Sequence, residues 1–199
     1  MNAARIRRAV ANDATAIGAI YAPIVRDTPI SFEIDPPTVE EMARRIETIG
    51  SATPWLVCEE AGRLLGYAHA GSHRVRAAYR WSVDVSVYVA ASQRGRGVAG
   101  ALYAALLTTL EAQGFHRAYA GITLPNPASV ALHERAGFSV LGVYREVGYK
   151  LGTWHDVGWW ERALASPANP PAAPASLSSL SESGIAPAWQ NAAARVRPS

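Results

Sequence analysis

The chain has 199 residues, enough for one domain and an appendage, and 49% of them are hydrophobic, which suits a globular core. Lys and Arg outnumber Asp and Glu by 19 to 16, but the basic residues are scattered rather than massed, so no nucleic-acid partner is expected. Cys58 is the single cysteine, which rules out an intrachain disulfide framework; no apolar run is long enough to span a bilayer or head a signal peptide, so the expected setting is cytoplasmic, without membrane contact.

Arg5 to Ala9 reads as a short first strand. Asp13 is the expected N-cap of a helix with Ile17, Ile20 and Tyr21 on one face, and Pro23 is the place to interrupt or kink it. Thr38 and Glu41 have the spacing of a capping box and open a second helix, which turns Met42, Ile46 and Ile49 inward and ends at Gly50. Pro54 to Glu60 and Leu64 to Ala70 read as two strands of a hairpin around Ala61-Gly62-Arg63. Cys58 lies inside the first of them and reads as a buried strand residue rather than a nucleophile. The linker from Ser72 to Arg80 is basic, with Arg74, Arg76 and Arg80.

Ser82 to Val89 alternates strictly, placing Asp84, Ser86 and Tyr88 on one face and Val83, Val85 and Val87 on the other. A basic, glycine-rich turn follows from Gln93 to Gly100, then an apolar run with helical spacing at Leu102, Leu106, Leu107 and Leu110. The first N–H groups of a helix lack intrahelical partners and sit at the positive end of its dipole. Glycines let a ligand approach that backbone, and Arg94 and Arg96 add charge, so the turn is suited to a pyrophosphate. The Gly-Lys-Ser/Thr ending of a Walker A loop is absent, as is the dinucleotide fingerprint.

Gly114 closes this helix. Ala118 to Thr123 is a further strand, broken by Leu124-Pro125-Asn126-Pro127. Ser129 to Arg135 makes a short helix that places Ser129 and His133 on one face. Phe138 to Tyr149 and His155 to Leu164 are the last two strands. The domain is expected to span residues 1–165. From Ser166 onward Ala, Pro and Ser dominate, so residues 166–199 are expected to form a mostly disordered tail, in which Trp189 alone has the means to dock. No ligand spacing supports a metal at His69, His73 or His155, and none is expected.

Several separated stretches resemble one family. Arg94-x-x-Gly97-x-Ala99 after Val87-Tyr88-Val89 resembles the pyrophosphate loop of the GNAT superfamily of N-acetyltransferases. Ser31-Phe32-Glu33, Ala78-Tyr79-Arg80-Trp81, Leu124-Pro125-Asn126 with His133-Glu134, and Lys150 to Gly158 are similar to its phosphinothricin and methionine sulfoximine/sulfone acetyltransferase branch. The likeness runs from about Arg5 to Leu164. It implies a mixed, mostly antiparallel sheet flanked by helices (an α/β, or α+β, acyl-CoA fold) and splayed at its central strand. It also implies acetyl-CoA as co-substrate, a small amino-acid-like acceptor, and a homodimer.

By the same resemblance, backbone groups of Val87, Tyr88 and Val89 bond pantetheine. Those of Gly95, Arg96, Gly97, Val98, Ala99 and Gly100, with Arg94, cradle the diphosphate, and Asn126 and Ser129 face the coenzyme from across the cleft. Phe32, Glu33, Arg76, Tyr79 and Arg80 fall where the family places its acceptor. Asp84 stands where glutamate is common; it is the candidate base or ammonium anchor, and its shorter side chain favours a relay. His133 stands where many members have a tyrosine that protonates the departing thiolate. The cluster from Lys150 to Asp156 either lines the pocket or shapes a dimer contact. Two other readings stay open: an acetyltransferase for another amine, and a non-catalytic acyl-CoA-binding module.

Overall fold

The alternating and helical runs all find a place around one seven-stranded sheet in a computed structural model of the chain, which describes residues 3–166 and 168–198. In chain order the elements are β1 (Arg5–Arg8), α1 (Ala14–Asp27), α2 (Val39–Ala52), β2 (Trp55–Glu60), β3 (Arg63–Ser72), β4 (Ser82–Val89), α3 (Val98–Gln113), β5 (Arg117–Leu124), α4 (Pro127–Arg135), β6 (Ser139–Lys150), β7 (Thr153–Ala163) and α5 (Glu182–Ala193). The strands lie in the order β1-β2-β3-β4-β5-β7-β6. Every neighbouring pair is antiparallel except β4 and β5.

That exception positions the site. β4 pairs with β3 from Val83 to Val89, and β5 pairs with β7 along its whole length. Between β4 and β5 the ladder has only three steps, Ser82 with Arg117 to Asp84 with Tyr119. Beyond Asp84 the two strands part. Their facing backbone edges then need partners from outside the sheet, since buried N–H and C=O groups are costly to leave unpaired.

The two faces of β4 follow its alternation. Val83 and Val85 are buried against α3, whose Leu102, Leu106 and Leu110 are fully buried in the same core. α3 is apolar nearly all round, as a helix covered on every side must be. The other face is roofed by α1 and α2 through Ile17, Tyr21, Val25, Met42 and Ile46, packed on Trp55 and Tyr67. Burial holds the Cys58 thiol up at about 11, so it stays protonated in the core.

Three expectations need correction. α1 runs straight through Pro23 to Asp27. Asp13 holds the N-cap position of α1, but its side chain makes no capping bond: its carboxylate accepts from Arg7 at 2.7 and 2.9 Å and from the Val10 amide at 2.9 Å. The tail, expected to be mostly disordered, instead carries α5, docked on α3 and β1. Ile185, Trp189 and Ala192 recur at i, i+4 and i+7 and are all buried, and Trp189 Nε1 donates to Thr109 Oγ1 at 2.9 Å. Average composition concealed this stripe, which buries enough apolar surface to offset the entropy of ordering.

Candidate active site

The opening between β4 and β5 is lined by Val85 to Tyr88 on one side and by Gly121 to Thr123 on the other. Tyr103 of α3 and Asn126, Ser129 and His133 of α4 close it from below. Asn126 is the N-cap of α4, its Oδ1 accepting from Ser129 N at 3.1 Å. Its NH₂ group is the part left to meet a ligand. Val87 and Tyr88 line the cleft, while the Tyr88 ring turns to the α1 face beside Tyr21 and Tyr67.

At the mouth of the cleft stands the glycine loop. Gly95 and Gly97 have φ of 78° and 89°, values that side chains with a Cβ rarely adopt. Gly97 opens α3, and among the described residues no side chain caps the amides that follow at Val98, Ala99 and Gly100. A helix start of this form, with glycines in the left-handed region, is suited to an anion. The two loop arginines are used differently from expectation. Arg96 is tied down by Glu60 at 2.9 and 3.0 Å, so it braces the loop. Arg94 lines a separate cavity of about 550 Å³ against α1, with Arg63 and Val89.

The acceptor side is built from side chains. Asp84 Oδ1 lies 2.7 Å from His73 Nδ1, and the His73 ring stacks on Tyr119 at 4.3 Å. Burial pushes the Asp84 carboxyl above its ordinary value, against the pull of His73 and Arg74. With Nδ1–H given to the carboxylate, His73 Nε2 is an acceptor with no hydrogen-bond partner among the described residues. His73 also lines a cavity of about 370 Å³ with Arg74, Tyr119, Tyr144 and Trp159. The Arg74 guanidinium sits 6.0 Å from the centre of the Trp159 ring. His73, Arg74 and Tyr103 are the functional candidates that sequence reasoning missed.

The expected acceptor residues are placed unevenly. Phe32 packs where a Cβ on Gly148 of β6 would go, and its ring is 6.3 Å from His155. Glu33 lines a cavity of about 640 Å³ with His69, Ser86 and Tyr88, but its charge is held by Arg45 at 2.8 and 3.2 Å and by the Tyr21 hydroxyl. Tyr79 meets the His73 ring edge-on at 6.1 Å. Arg80 lies over Trp81, and neither it nor Arg76 lines these cavities. Within the Lys150 cluster, Lys150 Nζ donates to the Val25 and Ser31 carbonyls at 2.6 Å each, pinning the segment that carries Phe32 and Glu33. Asp156 braces the bulge in β6 through the Glu146 amide at 2.8 Å.

His133 is buried, and both ring nitrogens are engaged. Nδ1 meets the Ser129 carbonyl at 2.8 Å, which makes it the protonated nitrogen, so Nε2 accepts from the Tyr103 hydroxyl at 2.8 Å. Burial lowers the His133 pKa and raises that of Tyr103, so both stay neutral. In this state the imidazole has no proton free for a thiolate, and the O–H in the cleft belongs to Tyr103. Among the described residues no group of three His, Cys, Asp or Glu is placed to hold a metal ion, and no helix is long and apolar enough to cross a membrane.

A family model for the acetyltransferase (GNAT) domain matches residues 6–159. The chain is 41% identical over 165 residues to a phosphinothricin N-acetyltransferase of Streptomyces viridochromogenes, covering 83% of this chain and 90% of that one. It is 36% identical to an L-methionine sulfoximine/L-methionine sulfone acetyltransferase of Pseudomonas aeruginosa, over 81% of this chain and 95% of the relative. Among solved structures, a phosphinothricin acetyltransferase from Sinorhizobium meliloti in complex with acetyl-CoA is similar with a TM-score of 0.78 and 35% identity, over 85% of this chain and 95% of that one.

Proposed function

The chain belongs to the GNAT acetyltransferase family, and from that membership we propose that it moves the acetyl group of acetyl-CoA to the α-amino group of a small polar amino acid such as phosphinothricin, methionine sulfoximine or methionine sulfone. The observation that carries this reading is the parting of β4 and β5 after Asp84, beside the uncapped start of α3. Pantetheine completes the open strand edges, the loop amides take the diphosphate, and the thioester lies in the cleft below the Asp84 face.

Transfer proceeds by direct attack in a ternary complex. The acceptor arrives as an ammonium ion and must lose a proton. Asp84 with His73 is the pair for this: the carboxylate orients the imidazole, and Nε2 takes the proton, filling the gap left by a side chain one methylene short. Amides on the open edge of β4 stabilise the oxyanion of the tetrahedral intermediate. The departing sulfur lies within reach of Tyr103, whose single O–H has to turn from His133 Nε2 to the sulfur to hydrogen-bond it. Arg74, with Tyr79, meets the acceptor's carboxylate or its phosphorus or sulfur oxygens, which suit a planar guanidinium, and the exposed Arg76 joins it where the acceptor extends out of the cavity to the linker.

The partner proposed for assembly is a second copy. The β6–β7 hairpin exposes Val140, Leu141, Val147, Tyr149 and Trp154, an apolar surface larger than scattered surface residues require. Light scattering in solution reads the mass directly.

Thiol release with a panel of amines tests the function. We expect kcat/KM for the three named amino acids to exceed that for spermidine or a peptide N-terminus by ~100-fold or more, the discrimination that buried polar contacts supply. Preference for a polyamine or peptide would replace the acceptor, and coenzyme binding without thiol release from any amine would overturn catalysis.

A further inference from the structure

The last residues of the chain lie against the loop that opens α3. The Arg197 amide donates to the Arg96 carbonyl at 2.9 Å, and Arg96 Nε returns a bond to the Arg197 carbonyl at 2.8 Å. The Arg197 guanidinium also donates to the Gly95 carbonyl. The Arg195 carbonyl sits 3.2 Å from where a Cβ on Gly97 would be, so the missing side chain leaves the tail room to close in. α5 delivers these residues: its buried Ile185 and Trp189 fix it on α3, and the chain leaves its C-terminal end directly toward the loop.

Toward the loop's main chain these contacts are one-sided. The Arg197 amide and one guanidinium nitrogen both donate to loop carbonyls. Among the described residues, no tail group accepts from the amides of Val98, Ala99 or Gly100. A segment that blocked an anion site would do the reverse and set acceptors on those amides. With its carbonyls held from behind, the loop keeps its N–H groups turned toward the ligand, which spares the cost of ordering them on binding. Arg195 and Arg197 are both exposed, so two more cations stand beside a site for a polyanion.

We propose that the C-terminal segment is a built part of the coenzyme site: residues 195–197 hold the diphosphate loop by its carbonyl side and add positive charge at the anionic end of coenzyme A. This rests on reading that loop as the diphosphate site. The matched family domain ends at residue 159, so the segment lies outside it.

The test compares the full chain with Arg197→Ala and with a chain ending at Ala194, which keeps α5 whole. Coenzyme A binding is followed by titration calorimetry and activity by thiol release. The shortened chain is expected to bind about tenfold more weakly and Arg197→Ala about threefold, the loss of one or two hydrogen bonds with a charged partner. Acceptor KM, kcat at saturating acetyl-CoA and melting temperature stay near those of the full chain, which a general loss of structure would not allow. Unchanged or tighter coenzyme binding by the shortened chain overturns the proposal. Failure of the full chain itself to bind coenzyme A defeats the reading of the loop instead.

Discussion

The two sides of the cleft are made of different material. On the coenzyme side the groups proposed to meet the ligand are main-chain amides and open strand edges: Val87 to Val89, then Gly95 to Gly100. On the acceptor side they are side chains from distant segments: Asp84 on β4, His73 after β3, Tyr119 on β5 and Trp159 on β7. A main-chain site tolerates most substitutions that keep the backbone path and fails when a glycine is lost. A side-chain site fails at single functional groups. The same polypeptide therefore holds one site robust to drift and one open to a change of acceptor.

The comparison is sharpened most by Asp84→Asn. It keeps the shape and removes the charge that orients His73. A loss of ~10²–10⁴-fold in kcat is expected for one catalytic proton transfer, with acetyl-CoA affinity nearly intact. Turnover within threefold of the parent would remove Asp84 from the chemistry. His73→Gln is expected to lose nearly as much.

Acid should also separate the two sides. His69, which shares the Asp84 face of the sheet, is half-buried, its ring stacked on Trp55 at 4.5 Å. Burial depresses its pKa from 6.5 to about 4. A histidine whose folded-state pKa is depressed contributes full stability above its unfolded value, and that contribution is lost as pH falls from about 6.5 toward about 4. A fall of some 2.5 units, at ~1.4 kcal/mol each, amounts to about 3 kcal/mol. Denaturant melts across this range should show that slope, and His69→Phe should flatten it. An unaltered slope in the variant would assign the effect to other groups, such as His133, also lowered by burial.

The same contrast explains what the sequence made legible. The cradle is local: strand alternation, glycine spacing and a helix start lie within twenty residues, so the chain reads as what it forms. The acceptor side depends on pairings that no local pattern carries. Lys150 reaches the carbonyls of Val25 and Ser31, and His73 meets Asp84 across a turn that reads as a basic linker. Tyr103 looks like one more member of an apolar stripe until His133 is placed beside it. The tail was misjudged for a related reason. Its few large apolar residues are sparse in number but fall on one helical face, and only α3 supplies the surface that makes the spacing count.

Gly97→Val tests the coenzyme side by backbone alone. At φ of 89° a branched side chain is strained, and its Cβ would also press on the Arg195 carbonyl at 3.2 Å. The expected rise in KM for acetyl-CoA is ~10–100-fold, as follows from the cost of holding a non-glycine residue in the left-handed region. The acceptor's KM should not follow it. A rise in both together would mean that the two sites share a support this comparison treats as separate.

The smallest effect divides the basic linker. Arg74 lies over Trp159 beside the Asp84 and His73 pair, while Arg76 opens the short turn Ala77–Tyr79 with its side chain exposed. If both guanidiniums take oxyanions of the acceptor, each alanine substitution should raise acceptor KM about tenfold, the worth of one charge-assisted contact that remains partly solvated. Coenzyme affinity should stay constant in both, because neither arginine approaches the glycine loop. An effect from Arg74 alone would place the whole acceptor in the cavity under Trp159. An effect from Arg76 alone would draw it out toward the linker, since a charge that matters only from the exposed position must be meeting a ligand there. The ratio of the two KM values thus locates the acceptor's carboxylate along β4, which the backbone-built side of the cleft has no means to specify.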